Sequence, residues 1–539
     1  MSLFCALLLL VQAITVAAYT QDIYDYVKKD DGAFKWEYMG PDTDIHGRNL
    51  MGDKTWTGYL LNVTSQRWLT DADFSEDSEM KSLWWHYMVV IVPSEIKYTK
   101  NSTIWITGWS NGSGAPTAKD EDIALAAALA MGTGTVTGAL FQIPCEHIKF
   151  ATDPIQKSRG EDAIIAFTWD HYLKDPSNSE WLVRFPMVKG SMKAMDAMTE
   201  FMATAHPQLG VTCESFIVSG ASKRGWTTWL LGAVDKPRVQ AIVPIVLDAI
   251  NFAAVEHHQY QSYNGWSWAL KDYIEMDIMS RIDDPNMLLL QQQEDPYFFK
   301  EELTMPKLIV NAVMDEFQQP DDTNYWWRDM PEPKHFLMTP NAEHSEATGI
   351  FEIVPAIGTW AAYLLKETTV PTWDWNIDET TGEIVATLDD NGEVHEASMW
   401  YAYSCGKDAN GIQMRDFRIM SLEDPCTCGI QSDEYCANLK SGWTRVVLDA
   451  EVVDGKRTYR ANMAAPDDGR YVAFMIDVKY AETDDIHSWT PFFDRDHHGN
   501  KKIPVDKPGR LEFTTQVSVM PNSFPYADCT GTACGSTMV

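Results

Sequence analysis

The sequence predicts an α/β domain followed by an all-β region. Between Ser82 and Lys366, short apolar runs rich in β-formers alternate with longer amphipathic stretches. One junction between such a run and the following stretch, at 220–225, is tight and flanked by glycines. After Pro371 the chain breaks into short alternating runs separated by Gly, Asp and Asn. Strand–helix alternation on this scale means parallel strands joined by crossover helices. Short alternating runs between turns mean antiparallel β structure.

The elements follow in order. The first 18 residues read as a secretory signal, because 7–18 is almost wholly apolar and Val16, Ala17 and Ala18 precede a cleavage point at Tyr19. That run is shorter than the roughly 20 residues a membrane span needs, and no other stretch reaches that length. Residues 19–81 form an N-terminal extension with one clear strand, 55–63. In the α/β domain (82–370), strands are predicted at 88–93, 104–107, 140–143, 216–219, 241–247, 308–313 and 335–338. Helices are predicted at 120–131, 161–172, 189–205, 223–234 and 346–365. A stretch rich in Trp, Tyr, Met and Gln at about 251–302 interrupts the rhythm and reads as a helical cap over the strand C-termini or as an extra helical layer. Residues 371–539 form a Cys-rich, sandwich-like β domain with strands near 374–377, 383–387, 398–403, 443–448, 459–463, 471–478 and 509–517.

Composition narrows the function. The 539 residues carry a net charge of −34, which excludes general electrostatic binding to nucleic acid and disfavours an anionic membrane surface. Nine cysteines become eight once Cys5 leaves with the signal, an even number that points to disulfides in an exported chain. Six of the eight follow position 400. A zinc site at Cys426, Cys428 and Cys436 lacks Cys-x₂-Cys spacing. Sequons at Asn62, Asn101 and Asn111 make surface glycans an expectation.

The chemistry concentrates at Gly220-Ala221-Ser222-Lys223-Arg224-Gly225. A serine between an apolar strand and a helix that begins at once presents its hydroxyl at the sheet's C-terminal edge. The pattern is similar to a nucleophile elbow, with its second glycine one place later than in G-x-S-x-G. Ser222 could equally serve as a helix N-cap. Chain order favours the nucleophile: an α/β-hydrolase needs an acid after a later strand and a histidine after the next. The run 308–314 leads into Asp315, and the run 336–338 leads through a turn to His344. Asp321 is the rival acid. The oxyanion donors expected are the N–H of Lys223 and one from the loop after 104–107, with Trp109 the choice. Asn111 lies in that same loop, where a glycan would obstruct the pocket. Two cations in a helix's first turn, Lys223 and Arg224, oppose the macrodipole. They serve either an anionic substrate group or oxyanion, or pairing with acids such as Asp248.

These motifs resemble the PhoPQ-activated pathogenicity-related family, in particular its secreted eukaryotic branch of autocrine proliferation repressors. The resemblance rests on 220–229, on Ala233-Val234-Asp235, on 241–248 with Asn251, and on 161–169, 186–196, 305–311 and 340–345. It covers roughly 30–480 and implies an α/β-hydrolase core with a C-terminal β domain. At Asp315-Glu316-Phe317-Gln318-Gln319-Pro320 the sequence departs from the family, which tends to carry a second aromatic after the Phe. Arg415-Asp416-Phe417-Arg418 is also similar to the family.

His257-His258 lacks a partner set with ligand spacing and reads as cap. Asp494-Arg495-Asp496-His497-His498-Gly499-Asn500 has a metal-binding composition, though such runs are commonly turns. Trp226, Trp229, Trp266, Trp268, Trp326 and Trp327 read as core, cap or pocket lining. No phosphate-cradling loop or nucleotide fingerprint occurs, so neither a metal nor a cofactor is expected. Three functions remain: a secreted serine hydrolase acting on a small-molecule or peptide substrate, a growth-repressing signal that meets a cell-surface receptor with the hydrolase fold as scaffold, or, from the β domain alone, a structural adhesive module.

Overall fold

A computed structural model describes residues 21–48, 54–389, 391–423, 425–432, 434–488, 494–495, 501–502 and 507–539. The signal sequence lies outside these residues, and so does most of the run 494–500. The centre is a ten-stranded sheet: β1 (Lys35–Tyr38), β2 (Ile45–Arg48), β3 (Thr55–Arg67), β4 (Leu83–Pro93), β5 (Asn101–Ile106), β6 (Val136–Leu140), β7 (Ser215–Ala221), β8 (Val239–Ile245), β9 (Lys307–Ala312) and β10 (Lys334–Thr339). Its order is β1-β3-β4-β6-β5-β7-β8-β9-β10, with β2 also on β3. From β6 to β10 every pairing is parallel. Strands β6 and β9 are buried along their whole length, as the central strands of a parallel sheet must be.

The crossover helices are α2 (Glu121–Thr133), α3 (Glu161–Lys174), α4 (Arg184–Ala205) and α5 (Lys223–Val234); α1 (Gln21–Lys28) precedes the sheet and α9 (Ile350–Leu365) follows its last strand. The interruption after β8 is helical, as expected: α6 (Phe252–Tyr263), α7 (Lys271–Glu275) and α8 (Pro285–Glu294), joined by 3₁₀ turns.

Three expectations are corrected. The strands before β6 are antiparallel, because no crossover helix separates β3 from β4 and parallel neighbours require one. The N-terminal extension therefore lies within the sheet, not beside it. The strand predicted at 140–143 lies at Val136–Leu140, where Gly138 and Ala139 dilute the β signal. A Cβ on Gly138 would stand 2.4 Å from the terminal methyl of Met88, which occupies the space left by the missing side chain. Helix α4 starts five residues before its predicted first residue, with Pro186 tolerated in the first turn.

After α9 the chain forms antiparallel sheets of four and five strands. Ile384, Ala386, Tyr459, Val472, Phe474 and Ile476 share one core with Trp360 of α9 and Leu337 of β10. The segment Glu512–Thr514 covers the edge strand β10, where the Met338 N–H donates to Thr514 Oγ1 at 2.8 Å. An open edge that could template aggregation is thereby closed.

Disulfides join Cys405 to Cys428, Cys426 to Cys436 and Cys529 to Cys534. The zinc reading of Cys426, Cys428 and Cys436 is thereby excluded. Disulfides are thus present as the even count of cysteines suggested, while Cys145 and Cys213 are unpaired and buried. Among the described residues no helix is long and apolar enough to cross a membrane.

The Asn111 side chain is buried and donates to the Trp85 carbonyl at 2.9 Å, while its Oδ1 accepts from the Glu146 N–H at 3.1 Å. Glycan attachment needs that same amide nitrogen. The expected result is that glycopeptide mass spectrometry of protein from a eukaryotic host finds Asn111 unmodified.

Candidate active site

Strand β7 delivers Ser222 to the sheet's C-terminal edge with φ 57° and ψ −127°. Such a backbone is strained for a residue with a Cβ and marks functional turns. Its neighbours explain the glycine spacing. A Cβ on Gly220 would lie 2.8 Å from the Arg224 carbonyl, and one on Gly225 would lie 2.8 Å from the Ile245 carbonyl. The Ser222 N–H donates to that same Ile245 carbonyl at 2.8 Å, tying the turn to β8. The second glycine therefore sits one place late because α5 packs on the end of β8 at Gly225. The chain runs from β5 outward to β6 and returns to β7 on the other side of β5. Ser222 thus stands at the topological switch point, where open α/β sheets place their ligands.

Asp315 follows β9, and His344 lies in the loop after β10. Asp315 Oδ1 accepts the N–H groups of Phe317 (2.6 Å) and Gln318 (3.2 Å). Its Oδ2 is 2.7 Å from His344 Nδ1, and His344 Nε2 is 2.8 Å from Ser222 Oγ. The Glu316 carboxylate accepts the His344 N–H at 3.2 Å, and the Phe317 ring packs 4.3 Å from the imidazole. The structure thus brings Ser222, His344 and Asp315 into one chain of hydrogen bonds. Burial disfavours the His344 imidazolium, but the Asp315 charge and hydrogen bond outweigh it and raise the imidazole above its ordinary value of 6.5. Burial, reinforced by the Asp315 charge, pushes Glu316 up to about 7.

Asp321, the rival acid, is elsewhere. It accepts two hydrogen bonds from Arg415, at 2.9 and 2.5 Å, within a buried cluster that includes His258 and Asp322. Lys223 and Arg224 pair with acids, but not with Asp248. Lys223 Nζ lies 2.8 Å from Glu161 and 3.0 Å from Asp162, and Arg224 lies 2.5 Å from Glu161. The Arg224 Nε–H donates to the Ile143 carbonyl. Burial alone would raise Glu161, yet Arg224 and Lys223 hold it well below the carboxylate range. Asp248 instead accepts from the Trp326 indole at 2.5 Å.

Sequence reasoning missed Glu161 and Asp162 as the counter-ions. The available signal was two acids opening a helix directly after Gly160.

Trp109 has φ 103° and is 38% exposed. Its indole donates to the Gly114 carbonyl at 3.3 Å and meets Phe141 edge-on. The cavity at Ser222 is walled there by Thr107, and Trp109 does not line it. Lys223, at the first position of α5, has a backbone N–H with no intrahelical acceptor.

That cavity has a volume of about 680 Å³ and runs from Ser222 and His344 between α2 and α9. A second cavity of about 50 Å³ meets it at Ser222, with Trp226, Phe252 and Tyr273 in its wall. His257 bridges Asp283 (2.9 Å) and Asp528 (2.8 Å), and His258 packs inside the Arg415 cluster. Trp229, Trp266, Trp326 and Trp327 are buried, and the Arg184 guanidinium lies 3.7 Å over Trp226.

A parallel sheet with a strained serine at its switch point, and an acid and a histidine after the next strands, defines an α/β-hydrolase-fold protein. The chain belongs to the PhoPQ-activated pathogenicity-related protein family, whose model matches residues 23–418. It is 32% identical to Autocrine proliferation repressor protein A of Dictyostelium discoideum, over 98% of this chain and 96% of that protein. Similar solved structures include acetyl xylan esterase 1 from Thermoanaerobacterium sp. JW/SL YS485, at 15% identity and a TM-score of 0.38 over 63% of this chain and 90% of that one. Another is Est1E from Butyrivibrio proteoclasticus, at 10% identity and a TM-score of 0.29 over 62% of this chain and 98% of that one.

Proposed function

We propose that the chain is a secreted serine hydrolase that cleaves an ester or peptide through an acyl-enzyme on Ser222. The observation that carries this is the hydrogen-bonded series Ser222 Oγ, His344 Nε2, His344 Nδ1, Asp315 Oδ2, at 2.8 and 2.7 Å. His344 takes the Ser222 proton as Oγ attacks the substrate carbonyl. Asp315 keeps Nδ1 protonated and stabilises the imidazolium. The Lys223 N–H and the Trp109 N–H are the proposed oxyanion donors, and closing the second of these onto substrate requires movement of the 108–114 loop. His344 then gives its proton to the leaving group. A water molecule, deprotonated by the same imidazole, releases the acid and restores Ser222. Because Lys223 and Arg224 are matched by Glu161 and Asp162, an anionic substrate group is not needed to account for them. Three disulfides suit the oxidising compartment that a secretory signal leads to.

A fluorophosphonate probe tests the reading: wild-type protein is labelled, and Ser222→Ala protein is not. Labelling that survives Ser222→Ala contradicts it.

The pH profile has a definite sign. His344 must be neutral to accept a proton, and its raised pKa keeps it charged above pH 6.5. Activity therefore falls as pH drops through a midpoint above 6.5, which a kcat/KM profile measures.

A second reading is favoured by the named relative. The chain would act outside the cell as a growth-repressing signal through a cell-surface receptor, with the hydrolase fold as scaffold. It predicts that purified Ser222→Ala protein slows proliferation as strongly as wild type; loss of that effect rejects a purely non-enzymatic signal.

A further inference from the structure

The larger cavity has a chemistry that catalysis at Ser222 does not by itself require. It runs from Ser222 between two helices whose residues are mostly apolar, α2 and α9. Leu125 and Leu129 on α2, and Ile350, Val354 and Ile357 on α9, line it while only half-buried. Trp105 donates its indole N–H to Asp122 Oδ1 at 2.7 Å, so its one polar atom is satisfied and the ring serves as wall. Charge is confined to the ends. Lys223, Arg224 and Asp162 stand paired at the Ser222 end, and exposed Glu121 and half-buried Asp122 stand at the start of α2. Glu346 also lines the cavity; it is buried, and burial favours its neutral carboxyl. The cavity lies within the range of about 300–1,000 Å³ typical of small-molecule sites. The companion cavity of about 50 Å³ on the other side of Ser222 has no room for a second long arm.

We infer that the cavity between α2 and α9 is an acyl-chain channel, and that the substrate is an ester of a long, unbranched, apolar acid. The inference rests on the serine-hydrolase reading for its chemistry, but the channel's affinity for such a chain stands apart from it. Ser222 Oγ attacks the ester carbonyl at the channel's inner end. The ester C–O bond breaks and the alcohol leaves with the proton that His344 took from Ser222. The acyl chain stays between the helices as the acyl-enzyme, and water, deprotonated by His344, releases the acid and regenerates the serine.

Two assays decide. In the first, hydrolysis of methyl esters from butyrate to octanoate is followed by titrating the released acid. Burial of each added methylene raises kcat/KM roughly threefold to fourfold, on the order of a hundredfold over the series. Gly358 of α9 lines the channel, and among the described residues nothing lies within 4 Å of where its Cβ would stand. Phenylalanine there enters the channel without a backbone clash and replaces a poor helix former. Gly358→Phe protein should melt no lower than wild type and lose at least roughly tenfold in its octanoate-to-butyrate ratio.

In the second assay, Ser222→Ala protein is titrated with the fluorescent methyl ester of cis-parinaric acid. Binding is expected, and it is expected to be lost when Gly358→Phe is added. Hydrolysis with a flat chain-length profile overturns the channel and leaves the serine hydrolase standing. Parinarate binding that Gly358→Phe removes, in a wild-type protein that hydrolyses no ester, supports the channel and rejects the catalytic reading. Absence of both binding and chain-length preference overturns the inference.

Discussion

Asp315→Asn lowers kcat about 10⁴-fold while the protein still folds. The substitution keeps the size of the side chain, and its amide oxygen still accepts the N–H groups of Phe317 and Gln318. The amide nitrogen, however, stands where Oδ2 meets His344 Nδ1 and now donates there. His344 must then carry its proton on Nε2, the atom that has to receive the proton of Ser222. The variant loses as well the carboxylate that raises the imidazole, so its residual activity persists to lower pH than that of wild type. Steady-state kinetics across pH, with thermal melting as the control for folding, measure both effects.

Asp321→Asn has the opposite profile. It costs about 3–5 kcal/mol of stability and leaves the turnover of folded molecules unchanged. Asp321 is the counter-ion of Arg415, with the two side chains 6% and 3% exposed. Removing the charge leaves a guanidinium inside the protein beside His258 Nε2 at 3.0 Å. Asp322 compensates poorly, because burial already pushes it up to about 6. That cost is a large share of the 5–15 kcal/mol typical of a folded domain. Denaturant melts read the stability loss, and active-site titration of the soluble fraction reads the turnover. A melt unchanged from wild type, or full-length folded protein without turnover, contradicts this division of labour between two aspartates six residues apart.

The order of Ser222, Asp315 and His344 was legible because a doubly wound sheet presents its functional loops in a fixed sequence along the chain. Ser222 and Asp315 stand just past the ends of apolar runs, and His344 follows its run after a short turn. The helical interruption after β8 was legible for a similar reason, since its Trp- and Gln-rich text fits neither a strand nor a crossover. What stayed hidden depended on tertiary partners. Nothing local says that Lys223 meets Asp162 sixty-one residues earlier and not Asp248, which is nearer in sequence. Gly138 and Ala139 hid β6, because they carry none of the branched or aromatic side chains that announce strands. The pairing of β3 with β4 was obscured by a connection long enough to suggest a domain boundary. Even parity of the cysteines did not reveal that Cys145 and Cys213 are simply apolar core. The channel between α2 and α9 was out of reach: its walls come from segments more than 200 residues apart, each an ordinary apolar helix when read alone.

The most direct test is to trap the covalent intermediate. Protein mixed with an activated acyl ester, quenched in acid within the first turnover and digested, is mapped by mass spectrometry. The expected result is one acyl group on Ser222, formed in a burst and absent from His344→Ala protein quenched at the same time. Hydrolysis without any acyl-Ser222, or an acyl group that accumulates equally without His344, contradicts a serine hydrolase at this site.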